Sequence, residues 1–267
     1  MEKGEILFHP LSIYGEGEGG EGGENMWHSS TNTRTGVNPT QNLSLADAWR
    51  LWNYRGNNRS IAYLTGIADI FPLSQIWQTR MAIEGVRTHT IDCAIRFNTY
   101  TIAEEALRQS VAPESIADSI TVTRAFTPYQ ILDAVKELKK NEVVFVLAPA
   151  KQFFDGDVAF DEGLFLIQKL VRFFADAHER GVALFVVERP SYAAPAFSTF
   201  LSGMKQLARR SRWELSPFGA SNGRRLRITE GHAYRDILSL PAETSKPRML
   251  PVRSPVTMPP AQMQFSF

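Results

Sequence analysis

Short apolar segments alternate with longer amphipathic segments through the middle of the chain, and this alternation limits the folds that the chain can adopt. The apolar segments match buried strands in length, and the amphipathic segments repeat apolar residues at helical spacing. We predict strands at residues 61–64, 87–93, 120–124, 143–147 and 182–187, and helices at residues 44–54, 73–84, 102–109, 128–139 and 161–179. Strands that alternate with helices form a mostly parallel sheet flanked by helices, so the predicted fold class is α/β.

The two ends of the chain differ from this central region. Residues 1–40 include a Gly/Glu-rich stretch and residues 242–267 are rich in proline, so we predict flexible segments at both ends. The predicted core domain therefore spans residues 41–241. Its last two strands, at residues 213–216 and 226–228, are predicted to form a hairpin, because Asn222-Gly223 between them is a strong turn signal.

The composition predicts an intracellular protein. The 267 residues are 43% hydrophobic and include a single cysteine, Cys93, which cannot form an internal disulfide. No apolar run approaches the ~18 residues of a membrane helix, and the N-terminus lacks the basic-then-apolar order of a signal peptide. We therefore expect no membrane contact and a cytoplasmic location, with the protein on the nucleoid if it binds DNA, or in the nucleus if its source is eukaryotic.

The net charge of +1 conceals an uneven distribution of charge along the chain. The N-terminal segment is acidic, with Glu16, Glu18, Glu21 and Glu24 among its glycines. The C-terminal third is basic, with Lys205, Arg209, Arg210, Arg212, Arg224, Arg225, Arg227 and Arg235. This distribution is typical of a nucleic-acid surface with a competing acidic tail, and equally of a solvated surface beside a flexible leader. The sequence leaves both interpretations open.

The first predicted strand leads into a degenerate phosphate-binding loop. In the pattern G-x-x-x-x-G-K-[ST], the first glycine is Gly66, but Phe71, Pro72 and Leu73 stand where the second glycine, the lysine and the hydroxyl belong. The loop normally binds phosphate through successive backbone N–H groups, a lysine and a magnesium-binding hydroxyl. Proline has no N–H, and phenylalanine adopts the backbone angles of glycine only at a cost, so this loop is not expected to bind phosphate.

The order and spacing of several stretches resemble the RecA-type recombinase core of the archaeal and eukaryotic RadA-like branch. The resemblance covers roughly residues 44–241. Besides the loop, it rests on Ile91-Asp92-Cys93-Ala94, on Thr123-Arg124-Ala125-Phe126-Thr127, on residues 143–150, on residues 170–187 and on the basic stretch 224–229. It implies a RecA-like P-loop NTPase core.

The chain departs from that family at the positions that carry out phosphoryl transfer. Ala94 stands at the position of the catalytic glutamate, Leu147 at that of the Walker B aspartate and Arg189 at that of the sensor glutamine, in addition to Pro72 in place of the lysine. Phosphoryl transfer needs these groups together, so the resemblance implies a pseudo-ATPase with no catalytic residue, cofactor or metal. A misplaced alignment does not explain the missing lysine, because no lysine lies between Lys3 and Lys136.

Other catalytic and metal-binding readings are weaker. Cys93 and His178 are the residue types of a nucleophile pair, but a lone cysteine on an apolar strand is more often core packing. The histidines and Cys93 lack zinc-ligand spacing. The acidic residues Asp155, Asp157, Asp161 and Glu162 do not follow the spacing of an EF-hand, so a solvated loop is favoured over a cation site.

DNA is the first partner that the resemblance implies, because the family contacts single strands through the loops after its fourth and fifth core strands. The first equivalent loop, residues 151–161, is acidic, which argues against that mode. The second loop offers Arg189, Tyr192 and Phe197, a combination that suits backbone contact and base stacking. Further phosphate contacts are predicted for Arg209, Arg210, Arg212, Arg224, Arg225 and Arg227.

Three functions follow as hypotheses. The first is an ATP-independent RecA-like accessory protein in DNA recombination or repair, similar to the Shu-type mediator subunits, that binds single- or double-stranded DNA or a recombinase partner. The second is a structural or docking subunit that associates with itself or with another protein and does not contact DNA. The third, a nucleotide-binding regulator, is disfavoured by Pro72. Partner contacts are predicted at Trp49, Trp52, Phe265 and Phe267.

Overall fold

The computed structural model describes residues 43–56, 59–154, 158–190, 195–219 and 223–239, which all belong to one compact unit. The strands are β1 (Ile61–Gly66), β2 (Thr88–Asp92), β3 (Ile120–Arg124), β4 (Val143–Leu147), β5 (Ala183–Glu188), β6 (Arg212–Phe218), β7 (Gly223–Glu230) and β8 (Ala233–Ser239). The α-helices are α1 (Ile70–Ile83), α2 (Thr99–Arg108), α3 (Pro128–Lys136), α4 (Phe160–Glu179) and α5 (Pro195–Leu207). Short 3-10 helices occur at Leu45–Leu51, Pro113–Ser115, Ala117–Ser119 and Lys151–Phe153. The two predicted flexible ends lie outside the described residues.

The strands form one sheet of eight in the order β3-β2-β4-β5-β1-β6-β7-β8. The first six strands in that order run parallel, whereas β7 and β8 are antiparallel to their neighbours. The prediction of an α/β fold with a mostly parallel sheet flanked by helices is therefore confirmed. The predicted hairpin is also present as β6 and β7, but β8 extends it to three strands.

The predictions of local structure were incomplete at three elements. The segment predicted as a helix at residues 44–54 is a 3-10 helix, Leu45–Leu51, and α5 occupies a region for which we predicted no element. The strand β8 was also missed, because Ala233–Ser239 is largely exposed at the sheet margin and carries no alternating apolar pattern.

Both faces of the sheet are covered. Helices α3, α4 and α5 pack against one face and contribute most of the helical side chains of the first core cluster. Helix α1 and the 3-10 helix Leu45–Leu51 pack on the other face, where they contact the β6–β8 sheet extension, and α2 packs beside α1. Because β5 lies in the middle, its side chains alternate between the two clusters: Leu184 and Val186 face one, and Phe185 and Val187 face the other.

Aromatic side chains fill the core beneath α1. The ring of Phe185 lies 4.9 Å from Trp52, 5.4 Å from Trp77 and 5.3 Å from both Phe145 and Trp213, measured between centroids. The Trp77, Trp52 and Trp213 rings meet Phe185 edge-on, an arrangement that aromatic pairs favour.

The prediction that Trp49 and Trp52 contact a partner was wrong. Their side chains are only 1% and 2% exposed, and the Trp52 indole also donates a hydrogen bond to the Ser60 carbonyl at 3.1 Å. The apolar spacing of this segment was correctly recognised, but it faces the core of the same chain. No surface remains on either ring for a second protein.

Replacing Trp52 with alanine is expected to destabilise the fold by about 3–5 kcal/mol, because the substitution leaves a cavity beside Phe185 and removes a satisfied donor. Urea unfolding of the purified chain measures this change. Tyr100→Ala is the matched control, because Tyr100 is exposed and its loss is expected to change stability by less than ~0.5 kcal/mol. Equal stabilities of the two variants would contradict the core assignment of Trp52.

Candidate functional site

The loops that follow β1, β2, β4 and β5 meet at one edge of the sheet, because these strands are parallel. Helices α1 and α2 lie on one face of the sheet, and α4 and α5 lie on the other. The helices that follow the neighbouring strands β1 and β5 therefore lie on opposite faces, and so do those that follow β2 and β4. Open α/β sheets place ligands at the carboxyl edge where the helices switch faces in this way. We call this region the carboxyl edge.

The loop after β1 is short and begins at a tightly packed glycine. A Cβ added to Gly66 would lie 2.6 Å from Ile70 Cγ2 and 2.6 Å from the Leu215 carbonyl oxygen, so only glycine fits at this position. Only Ile67, Ala68 and Asp69 separate β1 from α1. The pattern G-x-x-x-x-G-K-[ST] places four residues between its glycines, so this connection is shorter than the phosphate cradle of that pattern.

An ion pair closes the same loop from the side of β7. Arg224 donates from Nε and Nη2 to the Asp69 Oδ2 atom, at 2.8 and 2.6 Å. Asp69 has a left-handed backbone, with φ of 60°, at the start of α1. Arg224, predicted to contact DNA phosphate, thus pairs with a carboxylate of the chain itself.

The remaining positions of the degenerate motif are apolar and mostly buried. Phe71 and Leu73 pack into the core, whereas Pro72 is exposed on the first turn of α1. Ala94 and Leu147 are buried as well, so neither position places an oxygen ligand at the carboxyl edge. Within the described residues, no group of three or more His, Cys, Asp or Glu side chains is arranged to bind a metal ion.

Two arginines lie against the Phe71 ring. The Cζ atoms of Arg96, after β2, and Arg189, after β5, are each 5.5 Å from the ring centroid. Each contact is a cation–π interaction. The Nε atom of Arg189 is buried and has no hydrogen-bond partner among the described residues. Arg189, predicted from its loop position, therefore lies at the carboxyl edge, while Arg96 was missed because an isolated arginine after a strand carries no sequence signal.

Two buried carboxylates organise the loops of this edge. Asp92 accepts hydrogen bonds from the backbone N–H groups of Arg96 and Phe97, at 2.8 and 3.1 Å. Glu188, at the end of β5, accepts from the N–H groups of Ala150 and Arg189, at 2.8 and 2.9 Å. Both acids thus fix backbone geometry through these hydrogen bonds.

Burial dominates the ionisation of this cluster. It raises the pKa of Glu188 to about 7, against the opposing effect of the two N–H donors. Burial also raises the pKa of Cys93 well above its usual value, and the nearby carboxylates of Glu188 and Asp92 act in the same direction. Cys93 therefore stays a thiol at neutral pH. His178 lies at the far end of α4, so the discounted Cys–His pair is not formed.

The basic residues predicted to contact DNA occupy three separate places. Arg189 and Arg224 lie at the carboxyl edge, and Arg209 and Arg210 follow α5 at the opposite, amino edge of the sheet. Arg212, Arg225 and Arg227 lie on β6 and β7. Tyr192, Phe265, Phe267 and the acidic residues Asp155 and Asp157 lie outside the described residues.

Phe197 was wrongly predicted to stack on bases. Its side chain is 2% exposed, and its ring lies 5.9 Å from Phe154 and 6.1 Å from Phe200. Phe197 belongs to α5, which packs on α4 and the sheet. Its ring faces the core, so neither face of the ring is accessible to a base. The sequence placed it in a loop because the helix was not recognised.

The β6–β8 extension has one covered face and one face that carries charge. Trp213, Leu215, Leu226 and Ile228 point into the aromatic core, so the alternate residues face the other way. This second surface, which we call the outer face, carries Arg212, Glu214, Arg225, Arg227, Tyr234 and Asp236 and is bordered by Lys205 of α5. Its basic side chains outnumber its acidic ones.

Hydrogen bonds hold two of the outer-face arginines in place. Arg227 donates to both carboxylate oxygens of Asp236, at 2.8 and 2.9 Å, and its Cζ atom lies 4.5 Å from the Tyr234 ring centroid. Arg225 donates to Ser216 Oγ at 3.4 Å. Arg227 and Tyr234 thus form a cation–π pair on an exposed surface.

No protein-family model matches the chain, and no curated protein is significantly similar to it. In the part of the chain that the structure describes, no helix is both long enough and apolar enough to cross a membrane.

The raised pKa of Glu188 predicts a loss of stability with rising pH. The usual glutamate value is 4.5, so between about pH 4.5 and 7 the folded chain keeps a proton that the unfolded chain has released. The contribution is complete below 4.5 and is lost as the pH rises through 7. Between pH 5 and 8 the free energy of unfolding is expected to fall by about 2–3 kcal/mol from this group.

Glu188→Gln is the matched variant, because its side chain does not ionise while the other titrating groups are unchanged. Denaturant unfolding at several pH values measures the difference between the two proteins. The difference between their free energies of unfolding is expected to change with pH across this window. A part of the difference that is the same at every pH does not affect this test. Two parallel stability curves would contradict the assignment.

Proposed function

We propose that the chain is a RecA-like accessory protein of DNA recombination or repair that acts without ATP and binds DNA or a recombinase partner. One observation carries the proposal: the chain keeps a strand, loop and helix at the carboxyl edge, but the loop has only three residues and Arg224 of β7 pairs with its Asp69. Phe71, Pro72 and Leu73 stand where a phosphate-binding loop needs a glycine, a lysine and a hydroxyl. A scaffold of this type without its nucleotide site is suited to binding and not to hydrolysis.

The outer face supports direct contact with DNA. It combines Lys205, Arg212 and Arg225 with Tyr234, which is 66% exposed. Proteins hold single strands without reading sequence by placing bases on exposed aromatic rings and phosphates on nearby cations. The Arg227–Asp236 pair does not prevent this, because a partly exposed pair contributes little and its arginine can also face a phosphate.

An exposed apolar rim favours the docking subunit as a second candidate function. The carboxyl edge carries Ile95, Tyr100, Phe126, Tyr129 and Phe160, all exposed, on the loops and first helical turns that follow β2, β3 and β4. Large apolar side chains that cluster on a surface are typical of protein–protein contact. In this alternative the rim binds a protein partner or a second copy of the chain, and the outer face contacts no DNA.

Fluorescence anisotropy with labelled single-stranded DNA across a salt series tests the proposal. The wild-type chain is expected to bind at low salt, equally with and without ATP and Mg²⁺. The double variant R212A/R225A is expected to flatten the dependence of log K on log salt by about 1.4, at ~0.7 for each lost phosphate contact. Tyr234→Ala is expected to weaken binding by about 1–3 kcal/mol through lost stacking.

Arg172→Ala is the charge control, because Arg172 is exposed on α4, away from the outer face. It is expected to leave the salt dependence almost unchanged. Absence of binding at low salt would overturn the DNA form of the proposal and leave the docking subunit. ATP-dependent binding would overturn the pseudo-ATPase interpretation itself.

A further inference from the structure

A cavity of about 710 Å³ opens at the amino edge of the sheet, opposite the loop that follows β1. It lies between the start of β1, the end of α4, the turn after α5 and the end of β7. The side chains that matter for its chemistry are Arg59, Ser60, His178, Arg209, Arg210 and Glu230. Arg209 and Arg210 were predicted to contact DNA phosphate, but the outer face that we propose for DNA lies elsewhere on the sheet, so the proposed function does not explain the cavity.

The charge of the cavity is predominantly positive. Three arginines line it and Glu230 is its one acidic side chain. No ion pair between described residues includes Arg59, Arg209 or Arg210. Arginines brought together without carboxylate partners repel one another, and an anion that binds between them relieves this repulsion.

Two polar atoms of the cavity residues are buried without a partner. Among the described residues, neither Arg59 Nε nor His178 Nδ1 has a hydrogen-bond partner. Arg59 is otherwise anchored, because its Nη1 atom donates to the Gly181 carbonyl in the turn after α4. Buried polar atoms without partners are uncommon, and both of these belong to side chains that line the cavity.

The backbone that carries Arg209 and Arg210 is fixed on both sides. The Arg209 carbonyl accepts a hydrogen bond from Gly231 N–H at 3.1 Å. The next residue but one, Ser211, donates to the Ala208 carbonyl at 2.8 Å and accepts from Tyr63 N–H at 3.0 Å. The two exposed guanidinium groups therefore extend from a rigid turn, so a ligand orders only the side chains.

We propose that this cavity binds a nucleoside phosphate, either as a free nucleotide or as the phosphorylated end of a nucleic acid strand. Arginine binds phosphate oxygens through paired N–H donors, which Arg59, Arg209 and Arg210 supply. The volume lies within the range of small-molecule sites and is far larger than a phosphate ion requires. Glu230 and Ser60 add an acceptor and a hydroxyl for the sugar or base.

Isothermal titration calorimetry with a panel of nucleoside monophosphates tests the site on the full chain. At least one nucleotide, or a 5′-phosphorylated oligonucleotide, is expected to bind, with heat and a thermal stabilisation that grow with its concentration. The double variant R209A/R210A is expected to weaken binding about tenfold or more. Both side chains are exposed, so the fold is expected to survive, which the unliganded melting temperature verifies. R87A/R172A removes the same charge from exposed positions elsewhere and is expected to bind normally.

The remaining arms distinguish the two sources of the phosphate. Binding of a 5′-phosphorylated oligonucleotide in preference to its unphosphorylated form, with no binding of free nucleotides, assigns the site to strand ends. Binding of free nucleotides assigns it to a small ligand. The proposal would be overturned if neither a nucleotide nor a phosphorylated oligonucleotide bound at millimolar concentration. It would also be overturned if inorganic phosphate bound as tightly as nucleotides, or if R209A/R210A weakened the binding of phosphorylated and unphosphorylated strands equally. Each of these results is separable from the proposed function, because Arg212, Arg225 and Tyr234 are intact in these variants.

Discussion

The burial of β5 on both faces of the sheet is the constraint on which the other elements depend. All six of its residues are buried, and alternate side chains enter the two core clusters. Phe185 contacts rings from the N-terminal 3-10 segment, α1, β4 and β6, so one side chain brings together elements far apart in the sequence. Its last residue, Glu188, then anchors the loops that follow β4 and β5.

Packing, and not charge, closes the loop after β1. The Asp69–Arg224 pair is partly exposed, and such pairs contribute about 0–1 kcal/mol. The close approach of Gly66 to Ile70 and Leu215 is the stronger constraint, because any side chain at this position would collide with the backbone of β6. Breaking the ion pair alone therefore leaves the packing of this connection unchanged.

The two edges of the sheet consequently differ in chemistry. At the carboxyl edge, the cations Arg96 and Arg189 lie on the Phe71 ring and the carboxylates hold backbone N–H groups. At the amino edge, Arg209 and Arg210 have no acidic partner among the described residues, and a cavity remains open. The space for a ligand therefore lies at the amino edge, away from the loop that follows β1.

Local pattern alone determined the class of fold and most of its central strands. The apolar run of β4 and the strand β3 were predicted at their observed bounds, because periodicity and turn residues are properties of neighbouring residues. Only the tertiary structure decided that Trp49, Trp52 and Phe197 are buried and that Arg224 pairs with Asp69. It also decided that the basic residues lie at both edges of the sheet and on the outer face of the β6–β8 extension. These outcomes depend on the order of the strands and on contacts between residues such as Asp69 and Arg224, 155 positions apart, which a local pattern does not encode.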